Sequence, residues 1–210
     1  MHKKIPILFE DNWFLIVEKP PGLVVTFEPQ ARSRSLTEIV NNELRPQNAL
    51  YKLYPCHRID RETSGIVIFS KGKSAQKKVM ELFKKHRVKK TYLACVQGNI
   101  IPKAGVIKKQ IEHKQAITLY RVKQQRKDYA LVEVRPITGR TNQIRLHFKA
   151  INHPLVGESK FTFRRDFKLR ARRLLLHARR IEFVHPFTGE KIIVESTLPY
   201  DMQNFLEKHN

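Results

Sequence analysis

The residues best suited to chemistry stand in one stretch, His57-Arg58-Ile59-Asp60-Arg61-Glu62-Thr63-Ser64-Gly65. It offers a carboxylate among guanidinium groups, directly ahead of the apolar run Ile66-Val67-Ile68-Phe69. Such a run reads as a strand buried on both faces. A polar loop tied to a rigid strand holds a reactive side chain in fixed geometry. Taken alone, Asp60 reads first as the partner of a structural ion pair with Arg58 or Arg61. Thiol and metal chemistry have less support. Cys56 and Cys95 make neither a disulfide framework nor a CxxC pair, and no metal-ligand cluster stands out.

The elements that must position this loop read as one α+β domain with an antiparallel meander. Phe14-Leu15-Ile16-Val17 predicts a strand stopped by Pro20-Pro21-Gly22, and Leu23-Val24-Val25 predicts a return to extended structure. Ser35-Leu36-Thr37-Glu38 has the form of a capping box opening a short helix to about Leu44. Ser74 is the expected N-cap of a helix to about His86, with Ala75, Val79, Leu82 and Phe83 on one face. Strands are expected at Thr91–Val96, Val106–Ile111, Ala116–Val122 and Tyr129–Val134, then a helix from Thr141 to about Ile151. Arg179–Val184 and Lys191–Val194 frame a hairpin, and a short helix from Tyr200 to Lys208 closes the chain.

Composition narrows the partners. The chain has 210 residues, 41 Lys and Arg against 19 Asp and Glu, a net charge of +22 and a pI near 10.3. Charge this large is self-repelling and is tolerated where a polyanion is the usual partner, so a nucleic acid is expected, though charge alone does not choose RNA over DNA. Two basic blocks stand out. Lys71–Lys90 holds nine Lys and Arg with one acid, and Arg164–Arg180 holds eight with one. If they flank one cleft they form a track for a phosphate backbone; on opposite faces they are merely solvated. No apolar stretch approaches a membrane span, and Glu10-Asp11 cut short any secretory core. A reduced, cytoplasmic protein is expected.

Four ordered motifs then carry a resemblance. His57-Arg58-Ile59-Asp60 through Thr63-Ser64-Gly65 resembles the His-Arg-Leu-Asp-x-x-Thr-Ser-Gly signature of the RluA family of RNA pseudouridine synthases. Lys90-Thr91-Tyr92-Leu93-Ala94 resembles its Lys-x-Tyr-Leu-Ala strand, and Gly139-Arg140-Thr141-Asn142-Gln143-Ile144-Arg145 its Gly-Arg-Thr-His-Gln-Ile-Arg segment. Leu176-His177-Ala178 with Phe183-Val184-His185-Pro186 resembles its C-terminal motif, and Ile16-Val17-Glu18-Lys19-Pro20-Pro21-Gly22-Leu23 its opening.

The resemblance implies one catalytic domain over residues 1–210, with a mostly antiparallel mixed sheet, helices packed around it and a basic RNA-binding cleft. No separate N-terminal RNA-binding domain is expected. It implies that Asp60 is the catalytic carboxylate for isomerising uridine to pseudouridine, that Arg145 pairs with it, and that Tyr92 lies against the uracil. Arg58 is implied to fill the space a flipped base vacates, and Leu176 to wall the pocket. Arg140 is counted with the RNA contacts. Arg170, Arg172 and Arg173 of the second basic block are the candidate outer contact surface. No cofactor or metal is implied. The implied partner is structured ribosomal or transfer RNA, and the default state is a monomer. A non-catalytic RNA-binding or ribosome-assembly factor on the same scaffold is the competing function. His57, His147, His177 and His185 read as structural hydrogen-bonders. Two departures from the family pattern, Asn142 for its usual His and Gly157-Glu158-Ser159-Lys160-Phe161 for Gly-Asp-x-x-Tyr, are expected to lie clear of Asp60, Tyr92 and Arg145.

Overall fold

A computed structural model describes residues 4–27, 34–162 and 169–209. In chain order these form β1 (Ile7–Glu10), β2 (Phe14–Lys19), α1 (Leu36–Ile39) running into a π turn over Val40–Leu44, β3 (Leu53–Pro55), β4 (Ser64–Lys71) and α2 (Lys73–Lys84). Then follow β5 (Lys89–Gln97), β6 (Ala104–Lys108), β7 (Ile117–Gln125), β8 (Tyr129–Pro136), α3 (Gln143–Ala150), β9 (Leu176–Val184), β10 (Lys191–Glu195) and α4 (Tyr200–Lys208). The chain divides into two units. The first runs to Val88 and resumes over Arg180–Ser196; the second is Lys89–Arg179 with the segment from Thr197 on.

In the first unit, β2 lies antiparallel between β1 and β4, with Phe14 opposite Ser70 and Lys19 opposite Gly65. The apolar run in β4 is buried as its composition demands, packing with Phe14 and Ile16 of β2, Ala75 and Val79 of α2, and Ile181, Phe183 and Val194. β9 and β10 form the expected hairpin. His185 tightens its turn. Its Nδ1 accepts from the backbone N–H groups of Phe187 and Thr188, so its proton sits on Nε2 and goes to Asp11 Oδ2 at 3.0 Å.

The capping box forms at Ser35 and Glu38. Two other expectations do not hold. Ser74 is not the N-cap of α2; that position is Gly72 at φ 97°, a conformation Gly adopts without strain. Leu23-Val24-Val25 does not form a strand. The carbonyls of Val24 and Val25 instead accept from Leu36 N and Thr37 N, the first donors of α1, which have no partner within their own helix.

In the second unit the strand order is β5-β8-β7-β6, all antiparallel. On one face Ile144 and Phe148 of α3 pack on Ala94, Val96, Val132 and Val134. On the other, Met202 and Phe205 of α4 pack on Cys95 and Tyr129. β6 stops at Lys108, short of the Ile111 expected, and Ile111 makes only an isolated bridge to Lys114. α3 starts at Gln143, two residues later than expected, because Asn142 takes the left-handed φ of 54°. Asn tolerates that conformation better than most residues.

Candidate active site

Asp60 lies in the first unit, in the loop joining β3 to β4, and is half-buried. Both ends of this loop are anchored. Ile68 N donates to His57 Nε2 at 3.1 Å and Cys56 N to Ile68 O at 2.9 Å; at the far end of the loop, Thr63 N donates to Asp60 O at 3.1 Å. Its middle is clamped by Lys19, whose side chain is 0% exposed. The ammonium donates to the carbonyls of Pro20 at 2.9 Å, Leu23 at 2.6 Å and Arg61 at 3.1 Å. Gly22 N donates to Arg61 O and Arg61 Nε returns to Gly22 O, so the turn after β2 and the Asp60 loop move as one body. Lys19 belongs to the opening motif, but its role was not legible there: a Lys beside two prolines reads as surface. Arg58, two residues before Asp60, is exposed.

Arg145, Tyr92, Leu176 and Arg140 lie in the second unit. Arg145 projects from the first turn of α3 and is gripped by Glu158 through two parallel bonds, Nε to Oε2 and Nη2 to Oε1, both 2.7 Å. The side chains are 4% and 1% exposed, so this is a dry pair whose geometry is enforced by the two-point fork. Nη1 donates to Asn142 Oδ1 at 3.0 Å, and the Phe161 ring lies 4.9 Å from the guanidinium carbon.

The expectation that the two departures stand clear of the site residues is therefore wrong. Asn142, Glu158 and Phe161 all hold Arg145. Asn142 is one helical turn away, and the longer Glu158 side chain reaches across from the segment after α3. Gly157 makes that segment possible. At φ 81° a Cβ there would sit 1.9 Å from the carbonyl oxygen of Arg173, so only Gly lets the chain pass and deliver Glu158.

Burial alone would raise the Glu158 pKa. The bonds from Arg145 and from the backbone N–H groups of Lys160 and Phe161 outweigh it and hold the carboxyl below its ordinary value. Beside α3, Gln143 is buried and ties the Gly139-Arg140 turn to the sheet. Its carbonyl oxygen accepts from Arg140 N and Thr138 Oγ1, and its amide donates to Ile117 O and Thr118 Oγ1. Burial lowers the pKa of His147, and its Nε2 lies 3.1 Å from the Lys109 carbonyl.

Tyr92 is half-buried on β5 and packs against the same apolar cluster that contains Leu176 and Ile144, so these side chains share one wall of the second unit. Arg140 is exposed and donates to Gln115 O. Arg170 and Arg172 are also exposed. Arg173 is engaged within the fold: its fork grips Asp201 at the start of α4, with Nη2 at 2.8 Å from Oδ1, and its Nη1 serves the carbonyls of Leu174 and Leu176. Arg164, Arg165 and Lys168 of the same block lie outside the described residues. Both cysteines are buried free thiols with pKa values pushed up to about 12 by desolvation, which makes them inert at neutral pH.

The model of the RNA pseudouridylate synthase family matches residues 13–150, a span containing the Asp60 loop, Tyr92, Arg140 and Arg145. The chain is 31% identical to tRNA pseudouridine synthase C of Vibrio parahaemolyticus over 93% of its own length and 91% of that protein. It is 32% identical to ribosomal large subunit pseudouridine synthase C of Buchnera aphidicola, covering 96% of itself and 69% of that protein. The solved structure of human RNA pseudouridylate synthase domain containing 4 matches with a TM-score of 0.80 at 25% identity, over 96% of this chain and 92% of that one. The chain belongs to the RNA pseudouridylate synthase family. Its activity is that of an isomerase: it converts uridine in RNA to pseudouridine.

Proposed function

We propose that Asp60 is the carboxylate that acts on the target uridine, that Arg145 pairs with it and that Tyr92 lies against the uracil. The reaction breaks the bond from ribose C1′ to uracil N1, turns the base while it stays held, and joins C1′ to C5; the proton on C5 is lost and N1 gains one. Nothing is oxidised and nothing hydrolysed. An ionised Asp serves by attacking C1′, by assisting loss of uracil toward a glycal, or by adding to C6 of the ring. Each route needs the carboxylate charged and aimed, which a guanidinium does through two bonds and an ammonium does poorly.

The observation that carries the reading is the grip on Arg145. Glu158 and Asn142 use Nε–H, one hydrogen on Nη2 and one on Nη1. A guanidinium held at three nitrogens keeps one orientation, which is the condition for aiming it at a second carboxylate. A uracil within a stem must first be extruded, at roughly a few kcal/mol, and Arg58 is the residue assigned to fill the vacancy. Leu176 supplies apolar wall, and Arg140, Arg170 and Arg172 supply phosphate contacts. The substrate is structured RNA of the transfer or ribosomal class, the two kinds named for the relatives. The protein works as a cytoplasmic monomer; none of its described helices is long and apolar enough to cross a membrane.

Asp60→Asn should bind a uridine-containing RNA as wild type does, yet leave no pseudouridine when that RNA is mapped chemically. Pseudouridine formed at the wild-type rate would remove Asp60 from the chemistry. A variant that fully replaces wild type in cells lacking the protein would favour the assembly-factor function. Mapping total RNA from those cells names the modified site.

A further inference from the structure

The segment 103–127 carries eight Lys and Arg against one acid, Glu112, a third basic run that the catalytic reading leaves unused. Its strands β6 and β7 have two different faces. Ile107, Thr118, Tyr120 and Val122 are buried or half-buried toward α3. By the two-residue alternation of a strand, Val106 and Lys108 of β6 and Leu119 and Arg121 of β7 belong to the opposite face. The register sets them side by side: Val106 opposite Leu119, Lys108 opposite Ile117, Ala104 opposite Arg121. All four are exposed. Lys123 is exposed too, at the bulge where the β7–β8 register shifts between Val122 and Gln124.

β8 adds one acid to this face, Glu133, which the register sets opposite Arg121 but whose carboxylate pairs with Arg135 of its own strand at 2.8 Å. Among the described residues, no carboxylate lies within ion-pairing distance of Lys108, Arg121 or Lys123. Lone like charges on a flat sheet repel one another, and a polyanion relieves that repulsion. From the position opposite Lys108 to Lys123 is six residues of strand, about 20 Å. That length suits several successive phosphodiesters rather than one small anion. Val106 and Leu119 between the cations offer contact to ribose without adding charge.

We infer that this face docks the phosphate backbone of the RNA substrate at nucleotides other than the one isomerised. The inference rests on the activity toward RNA, and its test is separable from that of Asp60. The probe is a fluorescent RNA stem–loop titrated by anisotropy over a range of salt, beside steady-state isomerisation of unmodified total RNA.

The triple variant Lys108→Gln, Arg121→Gln, Lys123→Gln should bind the stem–loop with a log–log salt slope shallower by about 2, at roughly 0.7 per lost phosphate contact. Its KM should rise several-fold while kcat holds, as for an interaction made equally before and during reaction. Exchanging the same residues as Lys108→Arg, Arg121→Lys and Lys123→Arg should restore both. An unchanged slope and KM in a folded triple variant would overturn the inference. So would unchanged RNA binding together with lost binding to phosphatidylserine vesicles or to an acidic protein. Binding is measured without turnover, so a failure of Asp60→Asn to abolish pseudouridine leaves this result intact.

Discussion

At Glu158 burial and pairing act in opposite directions, and pairing wins: the carboxyl titrates below 4.5 despite its dry surroundings. A buried pair adds little stability over an apolar packing of the same volume, but removing one partner strands the other, typically at a cost of about 3–5 kcal/mol. Glu158→Gln keeps the shape and discards the charge, so it should destabilise the protein by an amount of that order. Isomerisation should slow through kcat, because Arg145 loses the fork that fixes its orientation. The pH dependence has a definite sign. The folded pKa lies below the unfolded value near 4.5, so the stabilisation is complete above that value and disappears as pH falls through the folded pKa. The gap between the thermal melts of wild type and variant should therefore narrow as the pH is lowered from neutrality to below that value. A gap that stays constant would refute the assignment of charge to this carboxylate.

Lys19 joins two elements rather than adding to one, since its ammonium gathers carbonyls from the turn after β2 and from the loop before β4. Lys19→Met keeps the stem's bulk and removes three donors. Half-buried carbonyls left without partners fall at the lower end of about 1–3 kcal/mol each, and Arg61 O keeps its bond from Gly22 N, so a net loss of roughly 2 kcal/mol is expected. With the Asp60 loop loosened, kcat should drop about ten-fold while RNA affinity stays near wild type, a misplacement effect. Equal loss of both would make Lys19 an ordinary core residue. The same contrast shows what was legible in the sequence. Local signals came through: the capping box at Ser35, the buried run in β4, the hairpin around His185 and the bounds of α4. What needed distant partners did not. β3 is three residues long and exists only because β4 lies beside it, and β1 is a short edge strand with Ile7 46% exposed. The motifs pointed to Asp60 and Arg145, but Glu158 comes from thirteen residues beyond Arg145, and Lys19 reaches Arg61 across forty-two. Neither contact has a periodicity or a cap to announce it.

At the scale of the whole molecule, a net charge of +22 says that RNA will be held largely by its phosphates, not which cations do the holding. The structure separates them by their partners. Lys71 pairs with Glu10 at 2.8 Å, Lys78 lies over the Phe187 ring, and Arg180 is engaged by Glu182 and Glu195, so these cations serve the fold. Arg173 belongs with them. Four of its five N–H donors go to Asp201, Leu174 and Leu176, and its loss should loosen α4 rather than weaken RNA binding. Arg170 and Arg172 differ in being exposed. Arg170→Ala with Arg172→Ala should therefore make the salt slope of RNA binding shallower by about 1.4, two contacts at roughly 0.7 each, with an unchanged melting temperature. Arg173→Ala should do the reverse, lowering the melting temperature with the slope intact. If all three arginines move the slope together, the Asp201 pair opens when RNA arrives, and structural and docking charge are not separate at this segment.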